Sequence, residues 1–270
     1  MSSTATGPVG QRPRASIQAR TLRTDRWWLP PVTIGTVLAI FVIYTTIRIY
    51  MARWYWVNDF HYLTPLYSPC VSASCEPGSS HFGVWLPALP FFLPLGIIAF
   101  PIVAGFRVTC YYYRKAGYRS LWLSPQACAV AEPHKKYTGE TRFPLILMNY
   151  HRYFFYFAAV VLVINLWDAV LAFRGPDGGF GVGLGTLIIA FNWVMLAGYT
   201  LSCHACRHAV GGRLKHFSRH PLRYRMWTFV SKLNPHHGRF AMISLFTVML
   251  TDAYIMSVSA GWITDLRLFN

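Results

Sequence analysis

The sequence predicts an all-α integral membrane protein, a bundle of five transmembrane helices with the amino terminus cytoplasmic and the carboxyl terminus outside. Three observations lead there. The chain has 270 residues, 54% hydrophobic and only 13% charged, with mean hydropathy +0.33, too apolar and charge-poor for an ordinary soluble domain. Its apolar residues gather in runs long enough to cross a bilayer. The formal charge of +16 sits beside one set of ends of those runs, as in cytoplasmic loops, so no nucleic-acid partner is expected.

Residues 1–29 read as a cytoplasmic tail, with Arg12, Arg14, Arg20, Arg23 and Arg26 against the single acid Asp25. They contain no short apolar core with a small-residue cleavage site, so a retained tail is expected and not a signal peptide. Residues 30–263 form the transmembrane domain. Trp27 and Trp28 suit an interfacial belt, and Pro30 and Pro31 a helix start, so the first span is placed at about 31–51. The loop from Val57 to His81 carries Asp59 and Glu76 but no Lys or Arg, which places it outside. There Cys70 and Cys75, in a turn-rich segment of an oxidising compartment, predict a disulfide; a metal pair with His61 or His81 is the alternative.

The second span is placed at 82–108 and contains Pro87, Pro90, Pro94 and Pro101, so kinks or a broken entry are expected. A basic inner loop follows, holding Cys128, Pro133 and His134; its Tyr, Trp and Pro content suggests a docking surface. The third span is placed at 151–173 and the fourth at 181–202. The latter opens with Gly181, Gly183 and Gly185, read as allowing close helix packing. An inner segment to Arg239 has seven Lys or Arg from Arg213 onward and no acid, the strongest orientation signal in the chain. The fifth span is placed at 237–262, and residues 264–270 form an outer tail. Arg48, Asp168 and Asp252 fall inside spans, where ionisable groups are costly. An Arg48 pair with Asp168 or Asp252 accounts for them, and a proton path from outside is the alternative.

The run Ser202-Cys203-His204-Ala205-Cys206-Arg207-His208 is the densest in ligand-type side chains. On a helix Cys203 and Cys206 share one face, and His204 and His208 another. A buried Cys acting as a small hydrophobe, and a His or Arg finishing a helix end, are the bland readings of the same residues. Topology collects Cys110, Cys128, His134, His151, Cys203, His204, Cys206, His208, His216, His220, His236 and His237 at the cytoplasmic face. A redox centre between helix ends fits that placement. A stacked haem pair finds too few mid-helix histidines, whereas a single haem b between His151 and His208 or His237, a Rieske-type 2Fe-2S cluster and a zinc ion each find donors.

Several longer runs resemble the membrane anchor of the actinobacterial, mycobacterial-type succinate dehydrogenase, the cytochrome b-like component of respiratory complex II. They are Thr24-Asp25-Arg26-Trp27-Trp28, His61-Tyr62-Leu63-Thr64-Pro65, Gly78-Ser79-Ser80-His81-Phe82-Gly83, Thr109-Cys110-Tyr111-Tyr112-Tyr113-Arg114-Lys115, Lys136-Tyr137-Thr138-Gly139-Glu140-Thr141 and Leu201-Ser202-Cys203-His204. The resemblance implies a bacterial plasma-membrane protein that binds quinone, of menaquinone or ubiquinone type, beside flavoprotein and iron-sulfur subunits on the cytoplasmic face. A higher oligomer is compatible with it. It also implies a Rieske-type 2Fe-2S cluster in place of haem b, carrying electrons from the iron-sulfur subunit to quinone, while succinate oxidation itself belongs to a partner. The ligands expected are Cys203 and Cys206 on one iron and His151 and His237 on the other, with Cys110, Cys128, His204 and His208 as substitutes. This departs from the usual Rieske loops, since the chain has no Cys-x-x-His. Arg152, Tyr153, Tyr156 and Trp193 are the quinone-binding candidates, although aromatic residues near an interface also serve as belts. A non-redox membrane scaffold or transporter is the remaining alternative; no internal repeat supports a transporter.

Overall fold

Proline placement decides where the helices begin. The structure is a computed structural model that describes residues 21, 23–132, 139–143 and 145–270; Arg12, Arg14 and Arg20 of the tail, together with Pro133 and His134, lie outside the described residues. Helix α1 (Leu29–Met51) starts with Pro30 and Pro31 in its first turn, where a missing N–H costs nothing, and stops at Ala52 in the left-handed region. Among the described residues four stretches are long and apolar enough to cross a membrane: α1, Leu145–Leu171, Leu184–Leu201 and Pro221–Ser259.

The expected second span, 82–108, is corrected. Residues 82–99 are irregular apart from a 3-10 turn at Leu95–Ile97, and helix begins only at α2 (Phe100–Thr109), with Pro101 in its first turn. Pro87, Pro90 and Pro94 remove backbone donors and disfavour helical geometry in the residues before them, so an apolar run is not here a helical one. After α2 the backbone is extended at Cys110, then resumes as α3 (Tyr111–Gly117) and a π turn to Trp122. This segment runs beside α1 from Gly96, against Ile49, to Ser120, against Gly35.

The remaining helices are α4 (His151–Leu171), α5 (Leu184–Leu201), α6 (His204–Gly211), α7 (Pro221–Leu233) and α8 (His237–Ser259). Helices α5 and α8 pack closely where Gly198 admits the Phe240 ring, and Thr247 donates to Asn192 Oδ1 at 2.8 Å. Trp193 of α5 donates to Leu162 O of α4 at 3.0 Å. The end of the bundle holding α3, α6 and α7 is its basic end.

At the opposite end residues 52–99 fold into a cap. Strands β1 (Trp56–Val57) and β2 (Tyr62–Leu63) pair antiparallel, and Cys70 and Cys75 are joined in a disulfide. Tyr55, Trp56, Leu63 and Tyr67 pack here against Ile49 of α1 and Val248 of α8. The last residues close over the cap: β3 (Val182–Gly183) pairs with β4 (Arg267–Phe269), and Asp265 accepts from Tyr62 Oη, Tyr254 Oη and the Gly185 amide. The reading of the 181–185 glycines as helix-packing residues is therefore corrected. A Cβ on Gly185 would collide with the Tyr62 ring, and one on Gly183 with the Asp265 carboxylate.

One ion pair ties α1 to α8. Arg48 Nε donates to Asp252 Oδ2 at 2.6 Å and its Nη2 to Oδ1 at 3.1 Å, with side chains 2% and 0% exposed. Tyr44 donates to the same carboxylate at 2.6 Å, and Arg48 also reaches the Arg53 and Trp54 carbonyls. Asp168 is not its partner. Removing one member of such a pair strands a charge and costs about 3–5 kcal/mol, whereas replacing both with apolar groups is often neutral. Thermal unfolding of the detergent-purified protein should therefore show a lower midpoint for Asp252→Ala and for Arg48→Ala, and recovery of most of the loss in Arg48→Met with Asp252→Leu.

Candidate functional site

Four helix junctions meet at the basic end, and each presents a Cys or a His. Cys110 stands between α2 and α3, His151 at the first turn of α4, Cys203 at the N-cap of α6 and His237 at the first turn of α8. Cys110, Cys203 and His237 are buried and His151 is half-buried.

The donors touch across helices. His151 Nε2 lies 3.1 Å from Cys203 Sγ, and His237 Nε2 lies 3.4 Å from Cys110 Sγ. The other nitrogen of each ring meets a hydroxyl: His151 Nδ1 is 2.9 Å from Thr109 Oγ1, and His237 Nδ1 is 2.8 Å from Ser202 Oγ. The arrangement is reciprocal. Thr109 holds one imidazole while its neighbour Cys110 touches the other, and Ser202 and Cys203 do the same in reverse.

The hydroxyls favour one tautomer. Thr109 donates to Gly105 O at 2.6 Å and Ser202 to Tyr199 O at 3.2 Å, which leaves each hydroxyl oxygen able to accept from a ring N–H. With Nδ1–H donating to its hydroxyl, each Nε2 carries a lone pair aimed at a thiol. This is the habit of metal-binding histidines, whose second nitrogen is held by an outer partner. The rings are fixed from one face as well, His151 stacked on Phe106 at 4.8 Å and His237 on Tyr199 at 5.0 Å.

Cys203 Sγ accepts the Ala205 amide at 3.3 Å at the start of α6, where the helix dipole favours negative charge. Burial nevertheless pushes its thiol up to about 12, with Cys110 and Cys206 as neighbouring thiols adding to the rise. Binding a metal there would displace a proton. Cys206 is buried in the same cluster as Cys110 and Cys203, and burial raises its thiol too. Its Sγ makes no hydrogen bond to a histidine among the described residues. Of the other substitutes, Cys128 is exposed, His204 is exposed beside Asn234, and His208 is exposed. Among the described residues no group of three or more His, Cys, Asp or Glu is arranged around a single metal ion. What is present is two Cys–His contacts.

Beside the donors lies a cavity of about 430 Å³, within the range of ligand sites, between α1, α2, α4, α5 and α8. Phe106 and Tyr199 belong to both, with the imidazoles on one side and the cavity on the other. Its walls are mostly apolar, with Arg107 as a buried cation. Arg107 donates to Tyr113 Oη and, at 3.2 Å, to Ser244 Oγ, and lies over the rings of Phe41, Tyr113 and Tyr199. No carboxylate pairs with it among the described residues. A guanidinium against an apolar cavity without an acid suits a ligand with an acceptor oxygen.

The sequence-derived quinone candidates are elsewhere. Arg152, Tyr153 and Tyr156 are exposed on α4, and Trp193 is spent on Leu162 O; none lines the large cavity. Thr109, Ser202 and Arg107 were given no role from the sequence. A hydroxyl residue before a Cys, twice at a helix end, and one Arg inside an apolar run were the available signals.

The chain resembles a solved structure from Mycobacterium smegmatis, the Sdh1 complex in the apo form, at 60% identity and TM-score 0.89, over 98% of this chain and all of that one. No curated protein matches. A family model described as actinobacterial succinate dehydrogenase subunit SdhC matches residues 29–261. With that match over most of its length, the chain belongs to the actinobacterial SdhC family, the multi-pass anchor that a succinate dehydrogenase keeps in the bacterial plasma membrane.

Proposed function

We propose that this subunit passes electrons from the iron-sulfur subunit of a succinate dehydrogenase to quinone, and that the four donors at the basic end hold a Rieske-type 2Fe-2S cluster for the purpose. The observation that carries the reading is the cross-braced set Cys110, Cys203, His151 and His237. A Rieske centre asks for two thiolates on one iron and two imidazoles on the other. The set supplies both, and it replaces Cys206 of the sequence expectation with Cys110. A haem b between the two histidines is less well supported, because each Nε2 already faces a thiol.

The basic end is the cytoplasmic end on this reading, with Arg and Lys of α6, α7 and the loops near them facing the flavoprotein and iron-sulfur partners. The segment Leu95–Trp122 serves as a fifth crossing, broken at Cys110 so that its thiol faces the bundle interior. The amino terminus is then cytoplasmic and the carboxyl terminus outside.

When bound, the cluster supplies one-electron transfer at a potential that His ligation raises above that of an all-Cys centre. The rest falls to the chain. Thr109 and Ser202 keep the Nε2 atoms unprotonated and oriented, and Phe106 and Tyr199 exclude water between the imidazoles and the cavity. Arg107 donates to a quinone carbonyl and stabilises the negative charge that grows on that oxygen as it is reduced, in a site of low dielectric where such a bond is strong.

Low-temperature EPR of the reduced, purified complex checks the ligand set. Cys110→Ser should abolish the His-ligated 2Fe-2S signal and Cys206→Ser should keep it; the reverse would restore the pairing of Cys203 with Cys206, and a low-spin haem signal in the wild type would remove the cluster. Steady-state kinetics checks the cavity: Arg107→Gln should raise the KM for quinone by about 10-fold or more, the loss of one charged hydrogen bond. An unchanged KM would move the quinone elsewhere.

A further inference from the structure

We propose that the end of the bundle opposite the basic loops delivers the protons that quinone takes up, along a file of polar groups from His61 and His81 through Asp168 to Asn165. The proposal rests on reading the large cavity as the quinone site, and adds the side of the membrane from which its protons come.

The file begins in the cap. His81 Nδ1 lies 2.6 Å from Asp168 Oδ1, with side chains 3% and 5% exposed, and Ser68 donates to the other carboxylate oxygen. A latch between cap and α4 would need nothing more. Two features exceed it. His81 Nε2 is buried without a partner, and its ring lies parallel to that of the half-buried His61, centroids 5.6 Å apart and 11° from coplanar. The Nδ1 of His61 is also buried without a partner, while Arg174 from the loop before α5 lies 2.8 Å from its Nε2. A guanidinium is a donor only, so His61 accepts there and is neutral at rest.

The second feature lies on the other side of Asp168. A cavity of about 10 Å³ is walled by Asp168, Asn165, Asn192 and Thr251, and Thr251 Oγ1 is buried without a partner. That is about the room one water needs, with enough polar neighbours to hold it. Orphaned buried groups are costly inside a membrane and are normally satisfied. A water here would accept from Thr251 and bond to Asp168. Asn165, one turn along α4 from Asp168, lines both this cavity and the large one. Polar groups thus lead from the cap to the wall of the proposed quinone site.

The chemistry balances. Succinate oxidation on the partner subunit yields two electrons and two protons, the protons leaving at the basic side. Quinone takes the two electrons, and each of its oxygens gains a proton. Asn165 stands at the cap end of the large cavity and Arg107 at its basic end, so each O–H bond of quinol forms as the carboxylic O–H of Asp168 breaks, the proton passing through the water placed by Asn165 and Thr251 and then along water in the cavity to the quinone oxygen. Asp168 regains its proton from the His81 imidazolium, which draws the next one past His61 from the cap side. Electrons and protons therefore reach quinone from opposite faces, and turnover moves charge across the membrane.

Vesicles reconstituted with the whole complex test this. Only complexes with their catalytic subunits outward meet succinate added outside, so the cap of every working complex faces the lumen. With a pH-sensitive dye trapped inside, a membrane-soluble quinone supplied, and potassium with valinomycin to clamp the potential, the lumen should turn alkaline in step with quinone reduction. Asp168→Asn should cut quinone reduction by about 10-fold or more while the partner subunits still co-purify, and Asp168→Glu should recover part of the rate. Full-rate quinone reduction with no lumenal pH change overturns the proton file and leaves the quinone site standing. Absence of quinone reduction by the wild-type complex overturns the site itself. Should Asp168→Asn fail to assemble, the wild-type lumenal signal still decides.

Discussion

Two imidazoles at the basic end, His151 and His237, are each held at both nitrogens, by a hydroxyl on one side and a thiol on the other, and the two holders of each ring come from different helix junctions. Thr109 and Cys203 grip His151, and Ser202 and Cys110 grip His237. No single helix can assemble that pattern. It requires α2 to end at Thr109, α5 to end just before Ser202, and α4 and α8 to begin at their histidines, so the helix boundaries and the donor set are one constraint. The extended backbone at Cys110 and at Cys203 turns each thiol inward while its hydroxyl neighbour reaches the other ring.

That constraint links the basic end to the rest of the bundle. Phe106 and Tyr199 stack on the imidazoles and also wall the large cavity, so moving one helix would disturb donors and cavity together. At the far end the Arg48–Asp252 pair pins α1 to α8, and Asp265 gathers Tyr62, Gly185 and Tyr254 into one closure. These contacts leave Asp168 apart from the ion pair that the sequence offered it. It faces His81 instead, with water-sized space behind it, and the two acids of the spans are thereby put to different uses.

The class, the long apolar helices and the gathering of Cys and His at one end were legible in the sequence because hydropathy and charge asymmetry carry them directly. The second span was legible only in part: its prolines signalled a broken entry, but because Pro87, Pro90 and Pro94 leave hydropathy high while forbidding helix, the extent of the non-helical stretch 82–99 was not. Cys206 attracted attention as the neighbour of Cys203 at helical spacing, yet Cys110, remote in sequence, is the thiol that meets His237. Sequence spacing reports one helix at a time, and this site is built between helices. Arg152, Tyr153 and Tyr156 lie off the large cavity, and the sequence could not show it, for a related reason. On helices apolar nearly all round, no polar stripe shows which face turns inward, so an interfacial aromatic cannot be told from a pocket residue. Arg107 differed in being a lone cation inside an apolar segment, which is costly unless used.

The proposed binding of iron by His151 and His237 through Nε2 is read most directly by pulsed EPR of the reduced complex carrying ¹⁵N-labelled histidine. Two distinct nitrogen couplings that change isotope with the label, one of them lost in His151→Cys and the other in His237→Cys, are what this geometry predicts. A reduced cluster signal with no strong histidine nitrogen coupling, or couplings indifferent to both substitutions, would contradict it.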